Sequence, residues 1–87
     1  MIRATVLAIF MAISTQAYAK KNCTSEPKSK WMEEKAFQEM LVKQGYTIDK
    51  FKTPGTCYEI YGKNAKGQKV EIYFNPVNGD IVKSEIE

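Results

Sequence analysis

Histidine is absent from the 87 residues. Its absence removes the commonest general base and the commonest transition-metal ligand. Ser25, Ser29 and Ser84 have no evident base partner, which leaves a carboxylate pair of Glu59 and Glu71 as the catalytic option. We interpret these two acids as outward-facing residues of neighbouring strands that meet water beside lysines. The sequence therefore predicts a protein that is not an enzyme, with no catalytic residue, no metal and no cofactor.

The chain also lacks runs of one charge and long apolar runs. Its 13 basic and 10 acidic residues give a net charge of +3 and are interspersed, which disfavours nucleic-acid binding. Residues 4–13 form an apolar run too short to cross a bilayer. This run follows Arg3 and precedes Ala17-Tyr18-Ala19, the pattern of a cleaved signal peptide over residues 1–19. We expect a mature protein of net charge +2, periplasmic or secreted, without stable membrane insertion.

Cysteine is scarce, with Cys23 and Cys57 as the two examples. An even number of cysteines in an exported chain predicts a disulfide between them. A domain of this size is only marginally stable unless it is cross-linked. Closing a loop of about 35 residues would contribute nearly 4 kcal/mol in the loop-entropy treatment.

One amphipathic helix is predicted near the start of the mature chain. Residues 20–30 are polar, contain Pro27 and are interpreted as an irregular N-terminal arm. Apolar residues then recur at helical spacing, which predicts a helix over residues 31–44. Ser29 is the expected N-cap, and Gly45 is expected to end the helix in the left-handed conformation.

Period-two alternation predicts antiparallel strands in the rest of the chain. Residues 46–52 are a possible first strand with poor alternation, residues 57–74 form a hairpin closed through Gly67, and residues 80–86 supply the last strand. The fold class is α+β, with the helix packed on a three- to four-stranded antiparallel sheet in a domain over residues 31–87. The predicted helix-facing positions are Ile48, Tyr58, Ile60, Val70, Ile72 and Phe74, with Trp31 and Ile81 closing the ends.

The opposite sheet face is the candidate binding surface. Alternation places Tyr61, Glu71 and Tyr73 there, and we add Phe51 beside them. Tyrosine is enriched at interfaces because it offers a large contact area at low entropy cost. Two other interpretations remain: the tyrosines are ordinary cross-strand residues, or the arm covers them. An exposed edge strand would also allow pairing with a partner chain or a second copy.

The turn after the hairpin has two interpretations. Asn75, Asn78 and Asp80 offer oxygen atoms and superficially suggest a calcium loop. Such a loop usually needs several carboxylates, and this turn has one. We therefore interpret it as a structural turn.

The order of these motifs resembles the PepSY domain family, in its small exported form with two cysteines. The motifs that carry the resemblance are Trp31, Gly45-Tyr46, Cys57-Tyr58-Glu59, Gly67, residues 70–74 and residues 75–80. The family implies a helix against an antiparallel sheet, and it is best known from propeptides of thermolysin-type metalloproteases, where it is linked to inhibition and chaperoning. Asn75 departs from the aspartate usual there, which argues against a cation role. A weaker similarity is to the helix-plus-four-strand domains of β-lactamase inhibitor proteins and outer-membrane assembly lipoproteins.

The expected function is that of an exported, non-enzymatic module. It binds protein or peptide and inhibits or regulates a protease. The alternatives are a small-ligand or cation sensor and a structural component of the cell envelope.

Overall fold

The computed structural model describes residues 21–87 as one helix on one sheet. The predicted signal peptide over residues 1–19 lies outside the described residues. Within them the elements are a 3-10 turn at Lys28–Lys30, helix α1 at Glu34–Lys43, and strands β1 Thr47–Lys52, β2 Tyr58–Lys63, β3 Lys69–Phe74 and β4 Ile81–Ile86. The strands pair antiparallel in the order β1-β2-β3-β4. The predicted α+β class is confirmed.

Helix α1 begins later than predicted. The side chain of Glu33 accepts a hydrogen bond from the Ala36 N–H at 2.9 Å and is the N-cap, whereas Ser29 lies within the 3-10 turn. The C-terminal end agrees with the prediction, because Gly45 has a φ of 104°. The Gly45 and Tyr46 N–H groups donate to carbonyls of the last helical turn at 3.0 Å, closing a Schellman motif.

The core lies between α1 and the sheet. Its buried members are Phe37, Leu41, Tyr58, Ile60, Val70, Ile72 and Phe74. The Phe37 ring contacts the rings of Tyr58 and Phe74 at centroid distances of 4.9 and 5.2 Å. The Tyr58 hydroxyl donates to the Met32 carbonyl at 2.6 Å, so the one polar group of this core has a partner.

A bulge in β1 explains its poor alternation. The pairing shifts between Ile48, opposite Gly62, and Lys50, opposite Tyr61. The extra residue lets Ile48 and Phe51 both pack against the core. Gly62 lies in β2, and a Cβ there would lie 1.8 Å from the Thr47 carbonyl oxygen. Any side chain at position 62 would clash with the backbone of β1, so glycine is required there.

Strand β4 is one edge of the sheet and is exposed along its whole length. Ile81, predicted to close the core, is 52% exposed, so that prediction is wrong. Ile81 pairs with Phe74, but helix α1 does not extend far enough across the sheet to cover it.

Candidate functional site

The outer sheet face carries two rows of polar and aromatic side chains. Pairing between strands gives the row Lys52, Glu59, Tyr73 and Lys83 and the row Lys50, Tyr61, Glu71 and Glu85. The centre is therefore a square in which each glutamate stands opposite a tyrosine. We call Glu59, Tyr61, Glu71 and Tyr73 the outer-face cluster.

Three of the four residues predicted for the binding face lie on it. Tyr61, Glu71 and Tyr73 are half-buried on this face. Phe51 is not: it pairs with Ile60 and its ring lies 6.3 Å from that of Phe37, on the helix side. The bulge in β1 is the physical reason, because one inserted residue reverses which side chains face the helix.

Glu59 is the residue that the sequence interpretation placed wrongly in water. It is 3% exposed, and its Oε2 atom has no hydrogen-bond partner within the described residues. Burial raises the pKa of the Glu59 carboxyl, and its interaction with the neighbouring Glu71 carboxyl raises it further. The same interaction is the main cause that lowers the pKa of Glu71. Of the two carboxyls, Glu59 therefore keeps its proton to higher pH and Glu71 ionises first.

The two tyrosines lie beside the carboxyl of Glu71, Tyr61 as its cross-strand partner and Tyr73 on the same strand. The Tyr73 hydroxyl donates to Glu71 Oε2 at 3.1 Å. Hydrogen bonding to Glu71 is the main cause that raises the pKa of Tyr61 to about 12. Burial is the main cause that raises the pKa of Tyr73 well above its ordinary value. Both phenols therefore remain protonated at neutral pH.

The N-terminal arm is fastened beside the outer-face cluster. Cys23 and Cys57 form the predicted disulfide, and Cys57 is buried. Lys21 accepts a hydrogen bond at its carbonyl from the Thr56 N–H at 2.8 Å. The Lys21 Nζ lies 4.9 Å from the centroid of the Tyr73 ring. The arm therefore meets this face at Tyr73.

The turn with calcium-like oxygens uses its amide side chains locally. Asn75 Oδ1 accepts from the Val77 N–H at 2.8 Å, and Asn78 Oδ1 accepts from the Asp80 N–H at 2.9 Å. Residues 21–87 contain no group of three or more acidic or cysteine side chains placed to hold a metal ion. These contacts support the structural interpretation of the turn.

No helix formed by residues 21–87 has the length and apolar character needed to cross a bilayer.

Searches of curated proteins and of solved structures returned no significant match. A comparison with protein families matches residues 3–85 to the PepSY family described as peptidase propeptide and YPEB domain. Domains of this family are generally non-catalytic propeptide or regulatory modules and are typically extracellular, in agreement with the disulfide. The match covers nearly the whole chain, and the protein therefore belongs to the PepSY family of peptidase propeptide and YPEB domains.

Proposed function

We propose that this protein is an exported binding module that holds a protein or peptide segment on its outer sheet face and thereby regulates a protease. The family supports the regulatory role, since its description includes peptidase propeptides. The observation that carries the choice of face is the outer-face cluster, in which two half-buried tyrosines surround a carboxyl pair. Helix α1 covers the other face, so the outer face is where a partner would meet the sheet.

The test is inhibition of an exported thermolysin-type metalloprotease by the oxidised protein. We expect slower peptide hydrolysis when the protein is added, and an inhibition constant weaker by about tenfold or more for the Tyr61→Ser/Tyr73→Ser double variant, because interface tyrosines often contribute 2 kcal/mol or more. The matched control is Val42→Ser, which changes an exposed residue of the helix.

Equal inhibition by the double variant and the control would exclude the outer face as the binding surface. Hydrolysis that stays unchanged with the parent protein would exclude regulation of that class of protease.

A further inference from the structure

We propose that the outer-face cluster binds a basic side chain, arginine or lysine, of the partner polypeptide, and that Lys21 of the arm occupies the same place in the free protein. The inference rests on the proposed function and specifies the chemistry of the partner. It concerns the Tyr73 ring and the Glu59–Glu71 pair.

The cluster presents the two groups that bind organic cations. Aromatic ring faces attract ammonium and guanidinium groups, and carboxylates accept hydrogen bonds from the N–H groups of these cations. Glu59 stands opposite Tyr73 and Glu71 stands opposite Tyr61, so each acid has a ring beside it. A guanidinium has five donors in a planar fork and would contact a ring and a carboxylate together.

Glu59 supplies the second, independent observation. Its side chain is buried to 97%, yet Oε2 has no partner. A buried polar atom without a hydrogen bond is destabilising, and in a native protein it calls for an explanation, such as strain, a bound water or ion, or a functional role. A cation that displaced Lys21 and reached this oxygen would supply the missing donor.

Lysines of the chain already lie on the ring faces of the cluster. Lys21 Nζ lies 4.9 Å from the centroid of Tyr73, while Lys52 and Lys50 Nζ lie 5.5 and 5.9 Å from that of Tyr61. The backbone of Lys21 is held by Thr56, and Cys23 is held by the disulfide. Only the Lys21 side chain has to rotate for another cation to take its place, so Lys21 acts as a built-in competitor.

Proton release distinguishes this site from a simple aromatic contact. The titratable groups in the two rows of the outer face around Glu59, together with Lys21 over the Tyr73 ring, are Lys21, Lys50, Lys52, Tyr61, Glu71, Tyr73, Lys83 and Glu85. Burial raises the pKa of the Glu59 carboxyl above its ordinary value, which favours the protonated form when no partner is bound. A cation favours the ionised carboxylate, and its binding therefore releases protons and strengthens as the pH rises.

The test uses acetyl-Gly-Arg-Gly-amide, with the citrulline peptide as its neutral isostere. Binding to the oxidised protein is followed by the NMR shifts of the Glu59 and Tyr73 amides, and proton release by calorimetry in two buffers. We expect the arginine peptide to bind about tenfold more tightly than the citrulline peptide. Lys21→Met should strengthen arginine binding about threefold, whereas Lys30→Met, an exposed residue of the arm region, should leave it unchanged.

Glu59→Gln provides the decisive variant. Glutamine copies the shape and neutrality of the protonated acid, so the fold should persist, which circular dichroism would verify. We expect it to abolish proton release and reduce the preference for arginine over citrulline. Equal binding of the two peptides, or unchanged proton release in Glu59→Gln, would overturn the inference.

The two proposals fail separately. Protease inhibition without a preference for the arginine peptide would reject the cation site and leave the proposed function. A preference for the arginine peptide without protease inhibition would reject regulation of that protease and leave the cation site.

Discussion

On the helix-facing side of the sheet, Ile60 and Ile72 are buried under α1, whereas on the opposite side Glu59 is buried although no helix formed by residues 21–87 covers it. Both sets of side chains project from the same strands, β2 and β3. The first side is apolar, and its one polar group, the Tyr58 hydroxyl, is hydrogen-bonded. The second side keeps a carboxyl with an unpartnered oxygen.

The difference separates what stabilises the fold from what is available for binding. Burial of apolar side chains is favourable wherever they meet other apolar groups, and needs no further partner. Burial of a carboxyl is favourable only with a proton or compensating donors. We therefore expect substitutions on the helix side to change stability at every pH, and those in the outer-face cluster to change how stability and binding depend on pH.

The largest effect is expected on the helix side, from Phe37→Ala. Phe37 is fully buried and contacts three aromatic rings, those of Phe51, Tyr58 and Phe74. Removing a core phenylalanine costs about 3–5 kcal/mol, which is comparable to the total stability of so small a domain. Urea denaturation followed by circular dichroism measures the loss.

The control for Phe37 is Val42→Ala on the same helix. Val42 is 57% exposed, and its truncation should change the free energy of unfolding by less than about 0.5 kcal/mol. Similar losses for the two variants would show that α1 does not anchor the core as described.

The next largest effect on stability is expected from the disulfide that fastens the N-terminal arm beside the outer sheet face. We expect reduction of the Cys23–Cys57 disulfide, or the Cys23→Ser/Cys57→Ser variant, to lower the free energy of unfolding by about 2–4 kcal/mol, since the bond closes a separation of 34 residues. Denaturation with and without reductant measures this loss in the free energy of unfolding. The Thr56 amide, which donates to Lys21, should also exchange faster with solvent. Unchanged exchange at Thr56 would show that the hydrogen bonds hold the arm without the disulfide.

The sequence predicted the helix side of β2 and β3 because the alternation there is regular. Tyr58 and Ile60 on β2, like Val70 and Ile72 on β3, all face the helix as expected. It could not predict the side-chain direction in β1, because the poor alternation there indicates an irregular strand but does not locate the extra residue. Phe51 was assigned to the wrong face for that reason.

Two further errors arise from contacts between distant parts of the chain. A glutamate at an outward strand position is ordinarily solvated, and the burial of Glu59 depends on neighbours in other strands. The sequence predicts Ile81 as a core residue. One helix is only about 10 Å wide, however, whereas the axes of four strands span about 14 Å, so a single helix cannot cover every strand. The local sequence pattern does not indicate which edge strand the helix leaves exposed to solvent.

The smallest effect on stability, and the sharpest test of the comparison, is the pH dependence that the outer-face cluster confers. The pKa of Glu59 is raised in the folded protein, so the folded state binds this proton more tightly than the unfolded state. Its contribution is complete below the ordinary carboxyl pKa and is lost as the pH rises through the raised value. Glu71 has a lowered pKa, and its contribution is lost as the pH falls through that value.

Denaturation of Glu59→Gln, Glu71→Gln and the parent protein from about pH 3 to about pH 9 separates these contributions. Glu59→Gln should stay within about 1 kcal/mol of the parent at acidic pH, because glutamine replaces a neutral carboxyl, and should lose less stability as the pH rises. Glu71→Gln should lose less stability as the pH falls. Glu39→Gln, an exposed change on α1, is the control and should follow the parent curve. If the Glu59→Gln curve also ran parallel to the parent curve, Glu59 would be equally ionised in both states, and the outer side would be an ordinary solvated surface despite its burial.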